Sequence, residues 1–383
     1  MEKKVAVVAH TQTKYLKESP VSRERIGFDV ATSILQKLRI SRDDIDTIVF
    51  SSNDFMDGRT ISEVYLVQRV GAYMKDETKV EADGLNAALY AWMRILSGQY
   101  NTALVISISM SGSQFRPLLV QNHTLDPAYE RPRGLINFIS GAALQARAYM
   151  TKYHMSDENL AQYAVKSLEN ARKNPFVLKR DGVPTVKDVL NSRPLYDPLR
   201  ELHTGPFVDG GCAVLLASEE RAKELTDKPV WINGFGHSLG TYYIGDRNLV
   251  RVDSLRDAAK RAYKMAGIKN PSREISLAEI HTIFASEEPI FTEALGLFPD
   301  GSGVKTIKSG ISRREGKLPV NPSGGPIGAQ PMNATGLVRL IEAVSQLRGE
   351  AGPMQVKRAK TAVVHAQEGV CAQHNVVGIL GVS

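Results

Sequence analysis

The chain predicts an α/β protein built from two βα-rich halves of similar length. Three observations point there: short apolar runs of strand length alternate with helical periodicities, the alternation restarts after about residue 226, and a proline-punctuated stretch interrupts the first half between about 111 and 202. In order, Val5 to Val8 reads as a buried strand, and Ile26, Val30, Ile34 and Leu38 mark a helix over 25–38. Thr47 to Phe50 is a second strand, 61–73 a second helix, and Lys79-Val80 a short strand. A helix follows over 84–97, stopped at Gly98, where a C-terminal glycine belongs. Residues 103–108 form another strand.

From about 111 to 202 the texture changes. Pro117, Pro127, Pro132, Pro175, Pro184, Pro194 and Pro198 punctuate helices over 141–154 and 157–174, the pattern of an insertion covering one face of the core. Residues 212–217 return to strand. The second half then runs strand 229–233, helix 255–266, a strand end at 280–284, helix 336–347, and closing strands over 361–364 and 375–380. The division expected is residues 1–225, carrying the insertion, and 226–383. A duplicated plan favours a site where the halves meet.

With 383 residues, 43% of them hydrophobic, the chain has a core to bury and is not disordered as a whole. The net charge of +7 comes from 48 basic and 41 acidic residues. They are interspersed, so a solvated surface or a small anionic ligand explains the excess and nucleic acid does not. Two cysteines, Cys212 and Cys371, exclude a disulfide framework and a multi-cysteine zinc site. The apolar run Val5–Ala9 is too short for a secretory or membrane-spanning segment, and the expectation is a cytoplasmic protein with no membrane partner.

The most informative stretch is 318–337, a loop rich in glycine and proline that leads into a helix at Ala334-Thr335-Gly336. Glycines let a backbone approach a ligand, and a helix N-terminus offers amides to an anion or oxyanion. A purely structural turn is the plain alternative.

The Asn-x-x-Gly-Gly of 321–325, the Ala-Thr-Gly of 334–336 and the Gln-Leu-Arg-Gly of 346–349 resemble the C-terminal signature of the thiolase superfamily, in the branch similar to sterol-carrier-protein thiolases. Leu96-Ser-Gly-Gln-Tyr100, Asp209-Gly210, Glu279 to Phe284 and Glu293 to Gly296 agree, in order, from about Val5 to Leu380. The resemblance implies a five-layer αβαβα fold. It also implies acyl-CoA substrates with coenzyme A as co-substrate, no permanently bound cofactor or metal, a homodimer, and a small zinc-ribbon partner protein. Asn321, Gly324, Gly325, Asn333 and Gly336 become the expected substrate-binding positions.

The family's chemistry uses a cysteine nucleophile at a strand-to-helix turn. In this chain the turn is Lys79 to Ala88, and Glu81 takes the cysteine position in register. The family's Gly-His-Pro is Ala329-Gln330-Pro331. Glutamine donates a hydrogen bond to an oxyanion but does not cycle a proton. His281 matches a retained active-site histidine, with Thr282 replacing the aspartate after it. Cys371 lies near the family's second cysteine. The catalytic candidates are therefore His281, Gln330, Glu81 and Cys371. Plain readings stand beside three of them: a structural histidine at 281, a buried small residue at 371, and, for the turn that carries Glu81, a helix cap at Asp83. Three readings stay open: an enzyme making or breaking a carbon–carbon bond beside a thioester without the usual cysteine, an inactive subunit of a heteromeric complex, or a thiolase that recruits Cys371.

Overall fold

The structure is a computed structural model that describes residues 3–113, 125–135, 137–178 and 182–382. Its strands are β1 (Val5–Gln12), β2 (Thr47–Ser51), β3 (Asp76–Val80), β4 (Thr102–Met110), the short β5 (Pro194–Tyr196) and β6 (Leu199–Arg200), β7 (Asp209–Ser218), β8 (Val230–Leu239), β9 (Leu277–Ile280), β10 (Thr361–Glu368) and β11 (His374–Gly381). Nine of them form one sheet in the order β3-β2-β4-β7-β1-β8-β11-β10-β9, and β5 pairs with β6. The mixed α/β architecture is the one the sequence predicts.

Residues 5–218 supply one end of the sheet and residues 230–381 the other. The two ends join through a short antiparallel contact, Ala6 opposite Trp231 and Val7 opposite Val230. Side-chain alternation along each strand then assigns the layers. Ala6, Val8, Ile48 and Ile106 pack against α1 (Arg23–Leu38) on one outer face. Val5, Val7, Val105, Val364 and Val376 face inward around α3 (Gly84–Leu96) and α10 (Thr335–Arg348), which lie between the two ends of the sheet. Val363, Val377 and Ile379 face α8 (Asp253–Ala266) and α9 (Glu287–Ala294) on the far side. The order helix, sheet, helix, sheet, helix gives five layers.

The stretch before β7 carries α4 (Phe138–Tyr153), α5 (Asp157–Ala171) and α6 (Val186–Asn191), whose apolar sides join the far-side core. Pro117 lies outside the described residues. Between β2 and β3 sits α2 (Asp54–Asp57).

Two local expectations differ. Residues 61–73 form successive turns, not a helix: their backbone bonds mix spacings of three, four and five residues, as in Val64 N–H to Ile61 C=O and Ala72 N–H to Val67 C=O. Ile61 and Met74 bracket the run at positive φ, and although Leu66, Val70 and Ala72 are buried, Ile61, Val64 and Tyr65 face solvent, so the apolar residues do not share one face. At 280–284, the strand stops at Ile280, because Asn321 captures the next turn. Its Oδ1 accepts from Ile280 N–H at 2.7 Å, and its Nδ2 donates to Thr282 Oγ1 at 2.9 Å.

Candidate functional site

The N-termini of α3 and α10 meet at Asp83. As the cap of α3, its Oδ1 accepts from Leu85 N–H at 2.9 Å, and its Oδ2 accepts from Gly336 N–H, in the first turn of α10, at 2.9 Å. Gly336 has no room for a side chain: a Cβ there would stand 2.0 Å from Asp83 Oδ1. Gly84 N–H donates to Asn333 C=O at 2.7 Å, a carbonyl that also accepts from the Ser51 and Ser107 hydroxyls. Two helix ends and the loop between them are thus tied into one rigid corner.

That corner is the floor of a cavity of about 130 Å³. Its walls come from Asn53 and Met56, Phe138, His281 and Ile283 after β9, Gln330, Met332 and Asn333, and Gln367 to Val370 at the end of β10. The lining mixes apolar and polar side chains, as small-molecule sites do.

Asp83 is fully buried at the cavity floor, and desolvation raises its carboxyl to about 7. The Leu85 and Gly336 amides oppose the rise and the nearby Glu368 carboxylate reinforces it. His281 lies beside it, Nδ1 3.9 Å from Asp83 Oδ2. Burial holds His281 well below the usual histidine range, with His365 and Arg339 adding to the effect, so the ring is neutral. Gln367 N–H donates to His281 Nδ1 at 3.4 Å, which assigns the proton to Nε2 and makes that nitrogen a donor. Gln330 is buried in the wall, and its Oε1 has no hydrogen-bond partner. A buried unpaired amide oxygen in the wall of a cavity is a group that a ligand donor would satisfy.

The other candidates stand elsewhere. Glu81 is half-exposed and turned away, its carboxylate 3.1 Å from Lys79, which also pairs with Asp54 and Glu63. The strand-to-helix turn does reach the cavity, but through Asp83, two residues later. Cys371 packs with Leu125, Ile244 and Val370 and borders a separate cavity with Arg247 and Asn248. Burial pushes its thiol up to about 12, the opposite of an activated nucleophile. Cys212 is buried within β7 and its thiol is also raised by burial.

Among the binding candidates, Asn333 lines the cavity and Gly336 serves Asp83. Asn321 stands behind the wall and positions His281 by gripping the residues on both sides of it. Gly324 and Gly325 pack at positive φ, Gly324 directly against Ala171 of α5. Among the described residues, no cluster of His, Cys, Asp or Glu is arranged to hold a metal, and no helix is long and apolar enough to cross a membrane.

Sequence reasoning read Asp83 only as a cap and passed over Gln367 and Glu368. A signal for Glu368 was present: Glu368 and His374 flank Cys371 symmetrically, the spacing that makes them partners across the β10–β11 hairpin.

Comparison with known proteins agrees with this geometry. Residues 236–382 match the family described as thiolase C-terminal domain-like. An acetyl-CoA acetyltransferase of Methanothermobacter thermautotrophicus is 32% identical over 372 residues, covering 94% of this chain and 95% of that protein. The benzoylsuccinyl-CoA thiolase subunit BbsB of Thauera aromatica is 27% identical over 397 residues, covering 98% of this chain and 97% of that protein. A solved structure described as the Ltp2-ChsH2(DUF35) aldolase superposes with a TM-score of 0.86 at 23% identity, covering 99% of this chain and 98% of that one, and so shares the fold. The signature loop at 321–336, the five-layer arrangement and full-length similarity to an acetyltransferase of the family lead to one conclusion: this chain belongs to the thiolase superfamily.

Proposed function

We propose that the protein acts on an acyl-CoA, cleaving or forming a carbon–carbon bond beside the thioester by aldol chemistry, with Asp83 as the base and His281 and Gln330 at the thioester oxygen. The observation that carries this reading is Asp83 itself: a carboxyl at the cavity floor, raised to about 7 by burial and adjacent to a neutral histidine. A general base near neutrality combines the ionised form with useful proton affinity. Thiolytic cleavage needs a nucleophile to carry the acyl group, and both cysteines are buried away from the cavity. Aldol cleavage needs none.

In the cleavage direction, Asp83 takes the proton of a 3-hydroxyacyl-CoA hydroxyl and the Cα–Cβ bond breaks. The carbonyl product departs, and the bonding pair becomes the enolate of the shortened thioester. Donors at the thioester oxygen, from His281 Nε2–H and Gln330 Nε2–H, stabilise that charge, while Gln330 Oε1 is left to accept from a substrate donor. Each such donor is worth about 3 to 4 kcal/mol in comparable sites. Asp83 then returns its proton to Cα, so the step needs no external oxidant, reductant or metal.

The reading includes a homodimer formed along β3, the free edge of the sheet, and extends to a small zinc-ribbon partner chain, tested by co-expression and co-purification. The alternative is a catalytically inactive subunit of an acyl-CoA enzyme complex. One experiment separates them. The protein is incubated with a panel of 3-hydroxyacyl-CoA thioesters, carbonyl release is followed, and α-deuterium incorporation into propionyl-CoA in D2O is measured by mass spectrometry. Carbonyl release or α-exchange supports the enzyme. Coenzyme A binding with neither supports the inactive subunit, and a stable acyl adduct on Cys371 overturns the cysteine-free mechanism.

A further inference from the structure

A polar chain leaves the cavity through the β10–β11 hairpin. Glu368 lines the cavity, and its Oε1 accepts from Asp83 N–H at 2.6 Å. Its Oε2 lies 2.7 Å from His374 Nδ1, and His374 Nε2 lies 2.5 Å from Nε2 of His237 on β8, which is exposed. The two imidazoles meet edge to face, ring centroids 4.5 Å apart. Two Nε2 atoms at this distance require one ring to donate and the other to accept. Glu368 holds the His374 proton on Nδ1, so His374 Nε2 is the acceptor and His237 Nε2–H the donor.

From this geometry we infer that Glu368, His374 and His237 form a proton relay between the cavity and solvent. The inference rests on the proposed acid–base function of the cavity. For an inward transfer, His237 passes its Nε2 proton to His374 Nε2 and regains one from solvent at Nδ1. The resulting His374 imidazolium gives its Nδ1 proton to Glu368. The net result is one proton moved from solvent to a carboxylate in the cavity wall, and the reverse sequence moves one out. Partial burial first, then the neighbouring His374 and Arg261 on α8, itself paired with Asp257 at 2.8 Å, disfavour protonation of His237, and Glu368 offsets them only in part. His237 is thereby kept able to release a proton as well as to accept one.

Glu368 and Asp83 both line the cavity, so a proton on Glu368 is delivered to the reacting centre across the substrate space, and its exchange with solvent depends on residues outside the cavity. Propionyl-CoA α-deuteration in D2O reads this directly. His237→Ala and His374→Ala should slow the exchange by about 10²-fold or more in dilute buffer, within the range assigned to positioned acid–base groups, and added imidazole should restore it. A merely structural role for the histidines leaves no such rescue. If the wild type exchanges and both variants match it with or without imidazole, the relay is overturned while the proposed function stands. If the wild type does not exchange, nitrogen-15 NMR of the imidazoles judges the relay without substrate, and the proposed function fails only where carbonyl release is absent as well. Fixed tautomers, His374 protonated on Nδ1 and His237 on Nε2, with the His374 tautomer released in Glu368→Gln, support the hydrogen-bonded chain. Solvent-averaged tautomers in the wild type overturn it.

Discussion

Asp83 draws its behaviour from two opposing fields. Helix N-termini favour its charge and burial disfavours it, and burial prevails, raising the carboxyl from 3.8 to about 7. Between those values the folded chain holds a proton that the unfolded chain has released, so this residue's contribution to stability falls as pH rises from about 4 to 7 and stays lost above. A shift of this size corresponds to a few kcal/mol, on the order of 1.4 per pKa unit. Asp83→Asn cannot ionise, so its melting temperature should decline less than that of the wild type over the same pH range, whatever its absolute value. The same substitution should reduce α-exchange by about 10²- to 10⁴-fold, and wild-type exchange should rise with pH through about 7, because the base acts ionised. Glu81→Gln is the control. Paired with Lys79 and half-exposed, it should leave exchange unchanged and shift stability by no more than about 0.5 kcal/mol. Sequence register assigned the carboxylate to Glu81, whereas the carboxylate of this turn that lines the cavity is Asp83, two residues later. Which side chain of a strand-to-helix turn faces inward depends on where the helix begins, and Asp83 as cap decides it.

The glycine-rich loop was legible as a site element because its composition has no core to build. The division of labour inside it was not. Asn321, expected to bind substrate, is instead a brace whose value lies in two buried hydrogen bonds around His281. Asn321→Ala leaves the Ile280 amide unpaired and should destabilise by about 1 to 3 kcal/mol, read as a lower denaturant midpoint at unchanged slope. Gly336→Ala tests the junction of α3 and α10. Its Cβ would meet Asp83 Oδ1 at 2.0 Å and Ala366 Cβ at 2.6 Å, both within rigid elements. Overpacking of this kind costs about 1 to 3 kcal/mol, and the displaced carboxyl should take α-exchange down with it. The turns at 61–73 show the converse limit. Apolar residues at helical spacing predict a helix only when they gather on one buried face, and here Leu66 and Val70 are buried while Val64 and Tyr65 are exposed.

At the scale of the molecule, the alternation of strands and helices was readable because buried strands are nearly continuous apolar runs. The meeting of residues 83, 281, 330 and 368 was not, because it depends on a strand order that brings β10 and the end of β9 over the N-termini of two central helices. The same strand order leaves β3 at a free edge. Around that edge the chain exposes Phe55, Ile61, Val64, Tyr65, Tyr73 and Met74, with Tyr90 and Met93 on α3. Met74 is 96% exposed, far beyond what an isolated surface methionine requires. An unpaired edge flanked by apolar side chains fits a two-fold interface, in which β3 meets β3 of a second copy and each patch covers the other. A stable pair of this kind buries about 1,200 to 2,000 Å² in total. The segment that carries the patch begins at Asn53 and Met56, in the cavity wall, so pairing would also hold that wall in place. Sedimentation velocity should show a dimer for the wild type and a monomer for the double variant Tyr65→Glu, Met74→Glu, and the monomer should bind propionyl-CoA more weakly although neither substituted residue lines the cavity. A wild type that sediments as a monomer at every concentration removes the dimer from the proposal. A monomeric variant with unchanged affinity keeps the dimer and separates it from the site.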